Sequence, residues 1–150
     1  TNPEENYNLI GLSFGGMIAA EWEKIRAPKK LFLLSTISDR SKLSWFLKLG
    51  GTLRLHRIIP MSFLSTPSFI NYYFFGIPNN ENMQVFKDIL HDTDKHHLRW
   101  ATNAILNWKN KESSNGIRIH GSKDRLLPLR DNMDYVIADA GHMSVLNNSE

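Results

Sequence analysis

Ser13 stands at the centre of Gly11-Leu12-Ser13-Phe14-Gly15, a G-x-S-x-G pentapeptide that follows the apolar run Tyr7-Asn8-Leu9-Ile10. A serine hydroxyl is a weak nucleophile until a base takes its proton, and the base in turn needs an acid to orient it. Two later segments offer that pair: His142 in Gly141-His142-Met143, and Asp124 in His120-Gly121-Ser122-Lys123-Asp124-Arg125-Leu126-Leu127-Pro128. The chemistry expected of such a set is acyl transfer through a covalent serine. Glycine at 11 and 15 is expected to remove side chains that would collide at a sharp turn, so that the Ser13 hydroxyl projects above the strand end. A helix starting just after Ser13 supplies free N–H groups, and the Phe14 N–H is expected to donate to a developing oxyanion.

The elements that must position these residues follow from pattern. Residues 7–10 and 31–34 are short apolar runs bounded by polar or glycine residues, the mark of buried strands. Residues 17–26 read as a helix limited by Pro28. Residues 117–119 and 135–137 are two further strands, and Asp124 and His142 follow them. Residues 39–94 change character: they are rich in aromatics, leucine and basic residues, with Gly50-Gly51, Pro60, Pro67 and Pro78 as breaks. Short helices are expected over 44–49, 53–59, 68–75 and 82–90, forming an inserted helical cap. Asp94 is a candidate N-cap for a helix reaching Trp108. Strands alternating with helical segments predict a parallel α/β sheet with the three candidates at the C-terminal strand ends, where such sheets gather their sites.

The segments Asn8-Leu9-Ile10-Gly11-Leu12-Ser13-Phe14-Gly15-Gly16, His120-Gly121-x-x-Asp124-x-x-x-Pro128 and Gly141-His142 resemble the three signatures of the α/β-hydrolase superfamily. The resemblance covers residues 7–38 and 95–146, and the cap is too variable to match. It implies a mostly parallel sheet comprising strands five to eight, with core segments 1–38 and 95–150 and a cap at 39–94. It also implies Ser13 as nucleophile, Asp124 as acid, His142 as base, an acyl-enzyme intermediate and no cofactor. The family's first four strands, and the loop carrying its second oxyanion donor, would precede Thr1, and its closing helix would follow His142. The short link from Leu129 to Asp134 resembles compact bacterial members. Ester cleavage of a small apolar acyl group is the expected reaction, ahead of amide or thioester cleavage. A non-catalytic ligand-binding protein, or an acyltransferase or lyase using the same triad, are the rival readings.

Composition bounds the remainder. The 150 residues carry 18 Lys+Arg against 15 Asp+Glu, a mild excess that reads as a solvated surface rather than a nucleic-acid patch. Cysteine is absent, which excludes disulfides and thiolate chemistry and fits a cytoplasmic location. No apolar run approaches a membrane span, and a small-molecule substrate is the expected partner. The basic, aromatic cap leaves a membrane-surface module as a further reading, which co-sedimentation with anionic liposomes would test. Asp39, shortly after the second strand, is the reserve acid. His91, Asp92, Asp94, His96 and His97 cluster, but their spacing imposes no metal geometry, so a capped helix start is expected and no metal. His56 between Arg54 and Arg57 reads as part of a basic cap face. Trp45, Phe46, Phe69, Tyr72, Tyr73, Phe74 and Phe75 are expected to pack the cap on the core and to line an acyl pocket.

The family topology sets another strand beside residues 7–10. Residues 1–150 alone are therefore expected to be poorly soluble and inactive, through an unpaired edge and a missing oxyanion donor. Comparing solubility and ester turnover with a protein extended at both ends checks this; equal activity would refute it.

Overall fold

The structure, a computed structural model, describes residues 6–54, 65–77, 80–130 and 133–147. Four strands, β1 (Asn8–Leu12), β2 (Lys30–Leu34), β3 (Ile117–Gly121) and β4 (Tyr135–Ile137), form one sheet in the order β1-β2-β3-β4. Every pair is parallel. Leu12 pairs with Leu34, Leu34 with Ile119 and Gly121 with Ile137, so the C-terminal ends lie in one row. Helix α1 (Phe14–Ile25) links β1 to β2. Among the described residues between β2 and β3 come a short 3-10 turn (Arg40–Lys42) and four helices: α2 (Trp45–Thr52), α3 (Phe69–Phe75), α4 (Asn80–Asp92) and α5 (Lys95–Asn107). Helix α6 (Ser144–Asn147) follows β4.

Burial explains the strand positions. Leu31 and Leu33 point inward on the central strand β2 and pack with Ala19 of α1 and Leu9 of β1. A second cluster sits nearer the C-terminal strand ends: Met17, Ile37, Leu43 and Leu127, with Phe14, Ile105 and Trp108 against it. A third joins α3 and α4 through Ile77, Phe86 and Leu90, with Tyr72 and Phe75. Asp94 caps α5 as expected, its carboxylate accepting the His97 N–H at 2.8 Å. That bond, chiefly, holds the Asp94 carboxyl below its ordinary pKa. Gly76 ends α3 in the left-handed region at φ 68°, which a residue without Cβ adopts freely.

Several expectations need correction. Gly50 and Gly51 do not break the chain; both lie inside α2. The reason is packing: a Cβ on Gly51 would stand 2.7 Å from the Leu106 carbonyl oxygen, so glycine allows α2 and α5 to meet closely. Trp45, Phe69 and Tyr73 are 70%, 82% and 49% exposed and do not pack inward. A seven-residue helix such as Phe-Ile-Asn-Tyr-Tyr-Phe-Phe cannot turn every ring to one face at 3.6 residues per turn. Tyr72 and Phe75 do face the core, against Phe86 at 5.9 and 4.9 Å between ring centroids. The helix expected over 53–59 falls almost wholly outside the described residues, as do His56 and Arg57. A helical turn, α6, follows His142, where the family's closing helix would begin. Among the described residues no helix is long and apolar enough to cross a membrane.

The contrast between the two adjacent glycines is testable by thermal melting. Nothing described lies within 4 Å of a Cβ on Gly50. Gly50→Ala is therefore expected to stabilise by about 0.5–1 kcal/mol through helix propensity. Gly51→Ala is expected to destabilise by about 1–3 kcal/mol through overpacking against Leu106. Equal shifts in Tm for both variants would refute the close helix contact.

Candidate active site

Ser13 occupies the turn between β1 and α1 with φ 51° and ψ −119°, a backbone region that residues with a Cβ rarely adopt. Such strain costs on the order of 1–3 kcal/mol and persists only where the surroundings over-determine it. Here they do. The Ser13 N–H donates to the Leu34 carbonyl at 2.9 Å, extending the β1–β2 ladder. The Ser13 carbonyl accepts from the Gly16 N–H at 3.0 Å and from the Thr36 hydroxyl at 2.6 Å. A Cβ on Gly11 would stand 2.5 Å from the Gly16 Cα, and one on Gly16 would strike the Thr36 side chain. The two glycines that the turn requires are therefore 11 and 16. Gly15, expected to be needed for clearance, has nothing described within 4 Å of a Cβ. Phe14 is the first residue of α1, so its N–H has no intrahelical acceptor and lies beside Ser13.

His142 and Asp124 arrive from the loops after β4 and β3, and both are almost fully buried. Ser13 Oγ lies 2.8 Å from His142 Nε2, and His142 Nδ1 lies 2.7 Å from Asp124 Oδ2. An ionised carboxylate only accepts, so Nδ1 carries the proton and Nε2 presents its lone pair to the Ser13 hydroxyl. The Phe75 ring stands edge-on to the His142 ring at 5.5 Å, and the Met143 N–H donates to the Phe75 carbonyl. Helix α3 thus braces the histidine loop.

Asp124 is held from several sides. Its Oδ1 accepts the Leu126 and Leu127 N–H groups at 2.9 and 2.8 Å. Its Oδ2 accepts from His142 and also faces His120 Nε2 at 3.2 Å. Burial pushes the Asp124 carboxyl up, but the bonds from His120, His142 and Leu127 together outweigh it and hold the group below its ordinary pKa.

Structure therefore brings Ser13, Phe14, Asp124 and His142 into one place. Asp39 is buried but engaged elsewhere: its carboxylate accepts the Ser41 N–H at 2.8 Å and caps the 3-10 turn. His91 pairs with Asp92 on the surface, and among the described residues no three His, Cys, Asp or Glu side chains are placed to hold a metal ion. Sequence reasoning missed three supports. Thr36 ties the serine turn to β2, and Ser35 Oγ lies 3.0 Å from Ser144 Oγ, tying β2 to the histidine loop. Ser35 is itself strained, at φ 44°. Neither carries a local sequence signal. The third, His120, did: a histidine at a strand end four residues before the acid.

No protein-family model matches the chain, and no curated protein does. Solved structures do match. A hydrolase from Pseudomonas aeruginosa superposes with a TM-score of 0.65 at 16% identity, covering 93% of this chain and 59% of its own. A thermophilic esterase from Thermogutta terrifontis gives 0.62 at 16% identity, with 95% and 60% covered. A meta-cleavage product hydrolase from Pseudomonas fluorescens gives 0.58 at 14% identity, with 97% and 61% covered. The chain has the α/β-hydrolase fold and spans about 60% of the length of these proteins.

The depressed Asp124 pKa makes a stability statement. Because the folded value lies below the unfolded one of about 3.9, the carboxylate contributes stability that is complete well above pH 4 and is lost as pH falls through the folded value. Calorimetric melts from pH 7 down to about pH 3 should show a steeper acid loss in the parent than in Asp124→Asn. Parallel curves would refute the assignment of that charge.

Proposed function

We propose that this chain carries the catalytic residues of a serine hydrolase that cleaves an ester of a small apolar acyl group. The carrying observation is the unbroken hydrogen-bond chain from Ser13 Oγ through His142 to Asp124, at 2.8 and 2.7 Å. As Ser13 Oγ attacks the ester carbonyl, His142 Nε2 takes its proton. Asp124 holds the Nδ1 tautomer and offsets the imidazolium charge. The Phe14 N–H donates to the oxyanion of the tetrahedral intermediate. Protonated His142 then gives its proton to the leaving alcohol, and the acyl group remains on Ser13. Water, deprotonated by the same imidazole, attacks the acyl-enzyme and releases the acid.

The preference for an ester and an apolar acyl group rests on two supports. Phe14 packs in the apolar cluster beside the serine and stands edge-on to Trp100 at 5.5 Å. One of the similar structures is itself called an esterase.

The test uses p-nitrophenyl esters of varied acyl length and a fluorophosphonate probe on the full-length protein. Ser13→Ala should abolish labelling and lower kcat at least about 10³-fold. Asp124→Asn should lower kcat on the order of 10³–10⁴-fold, while Asp39→Asn stays within about tenfold. A parent protein that binds esters without turnover or labelling would mark a ligand-binding protein instead. Reversed effects at Asp124 and Asp39 would move the acid to the end of β2.

A further inference from the structure

His120 is the last-but-one residue of β3, and its side chain is 2% exposed. Its Nε2 lies 2.7 Å from the Leu127 carbonyl oxygen and 3.2 Å from Asp124 Oδ2. A carbonyl oxygen can only accept, so Nε2 must carry a proton, which it donates to Leu127, and the same N–H lies within reach of Asp124 Oδ2. Asp124 Oδ2 is thereby flanked by two imidazoles, one of which the acyl-transfer chemistry does not use.

Asp124 and, beyond it, His142 lie on one side of His120. On another, a small cavity is lined with His120 by Lys42 of the 3-10 turn, Arg118 of β3 and Arg130 of the loop before β4.

We propose that His120 is a positioning residue that keeps the buried Asp124 carboxylate ionised and turned toward His142, by donating from Nε2 to the same oxygen that receives His142 Nδ1. This rests on the hydrolase reading for its consequence in turnover, but not for its structural content. Losing the donor destabilises the anionic Asp124–His142 dyad more than the protonated dyad. The dyad's apparent pKa must therefore rise, whichever partner holds the proton. A residue that merely anchored the Leu127 loop would leave that titration unmoved.

The experiment is ¹⁵N NMR titration of the histidines in the full-length protein, alongside p-nitrophenyl acetate hydrolysis, for the parent, His120→Phe and His120→Gln. Phe keeps a planar ring without a donor, and Gln returns an N–H close to the Nε2 position. In His120→Phe the His142 midpoint should rise by about half a pH unit or more, with kcat falling about tenfold or more and KM within about threefold. His120→Gln should return both toward the parent. In the parent, His120 should carry a proton on Nε2, a measurement that stands even where a variant does not fold. An unmoved His142 midpoint in His120→Phe, or a neutral Nδ1–H tautomer at His120, would overturn the proposal. If p-nitrophenyl acetate is not hydrolysed, the hydrolase reading is in difficulty while the NMR titration still decides the role of His120.

Discussion

A carboxylate taken out of water is costly unless donors replace its hydration, and Asp124 accepts three N–H groups on its two oxygens, with His120 Nε2 3.2 Å away. Those groups come from three places: its own loop, the end of β3 and the loop after β4. Satisfying one buried charge therefore forces the two C-terminal loops together. Leu126 is held in turn by the Ser44 hydroxyl on its carbonyl, which draws the start of α2 into the same assembly. Ser122 and Lys123 then bond the acid loop to the histidine loop, through the Ile137 and Ala140 carbonyls and the Asp139 N–H.

The second constraint is the strained turn at Ser13. Its backbone is held by β2 on one side and by the first turn of α1 on the other, with glycine pairs where the two meet. The central strand β2 serves both halves of the site. Leu34 and Thr36 bind the serine turn, and Ser35 reaches Ser144 beyond His142. One shared strand end thus holds both Ser13 and His142, whose side chains meet at 2.8 Å. The strained backbone at Ser13, Ser35 and Asp139 clusters in that same row of strand ends, as is usual where geometry is held for chemistry.

Much of this was legible in the sequence. Apolar runs bounded by glycine or charge marked all four strands. The tight Gly-x-Ser-x-Gly turn, the Asp124 loop and Gly141-His142 marked the candidate residues, because each needs a particular local backbone. Asp94 announced its helix by local chemistry alone. Gly50-Gly51 misled, since a glycine pair reads as a break until a partner helix supplies a reason for its small size. The aromatic stretch over α3 misled for a related reason: which rings face inward depends on what α3 packs against.

What the sequence by itself determined is therefore what short-range physics controls: strand and helix types, the strained turn, and which residues could act as nucleophile, base and acid. Tertiary structure alone decided the rest. It set the expected Asp124, and not the reserve Asp39, against His142, because Asp39 is taken up in capping a turn while the Asp124 loop is pulled onto the histidine loop. It also recruited Ser35 and Thr36, whose partners lie 109 and 23 residues away in the chain. Long-range hydrogen bonds of that kind leave no periodicity or spacing to read, because they depend on where the sheet sets its strand ends side by side.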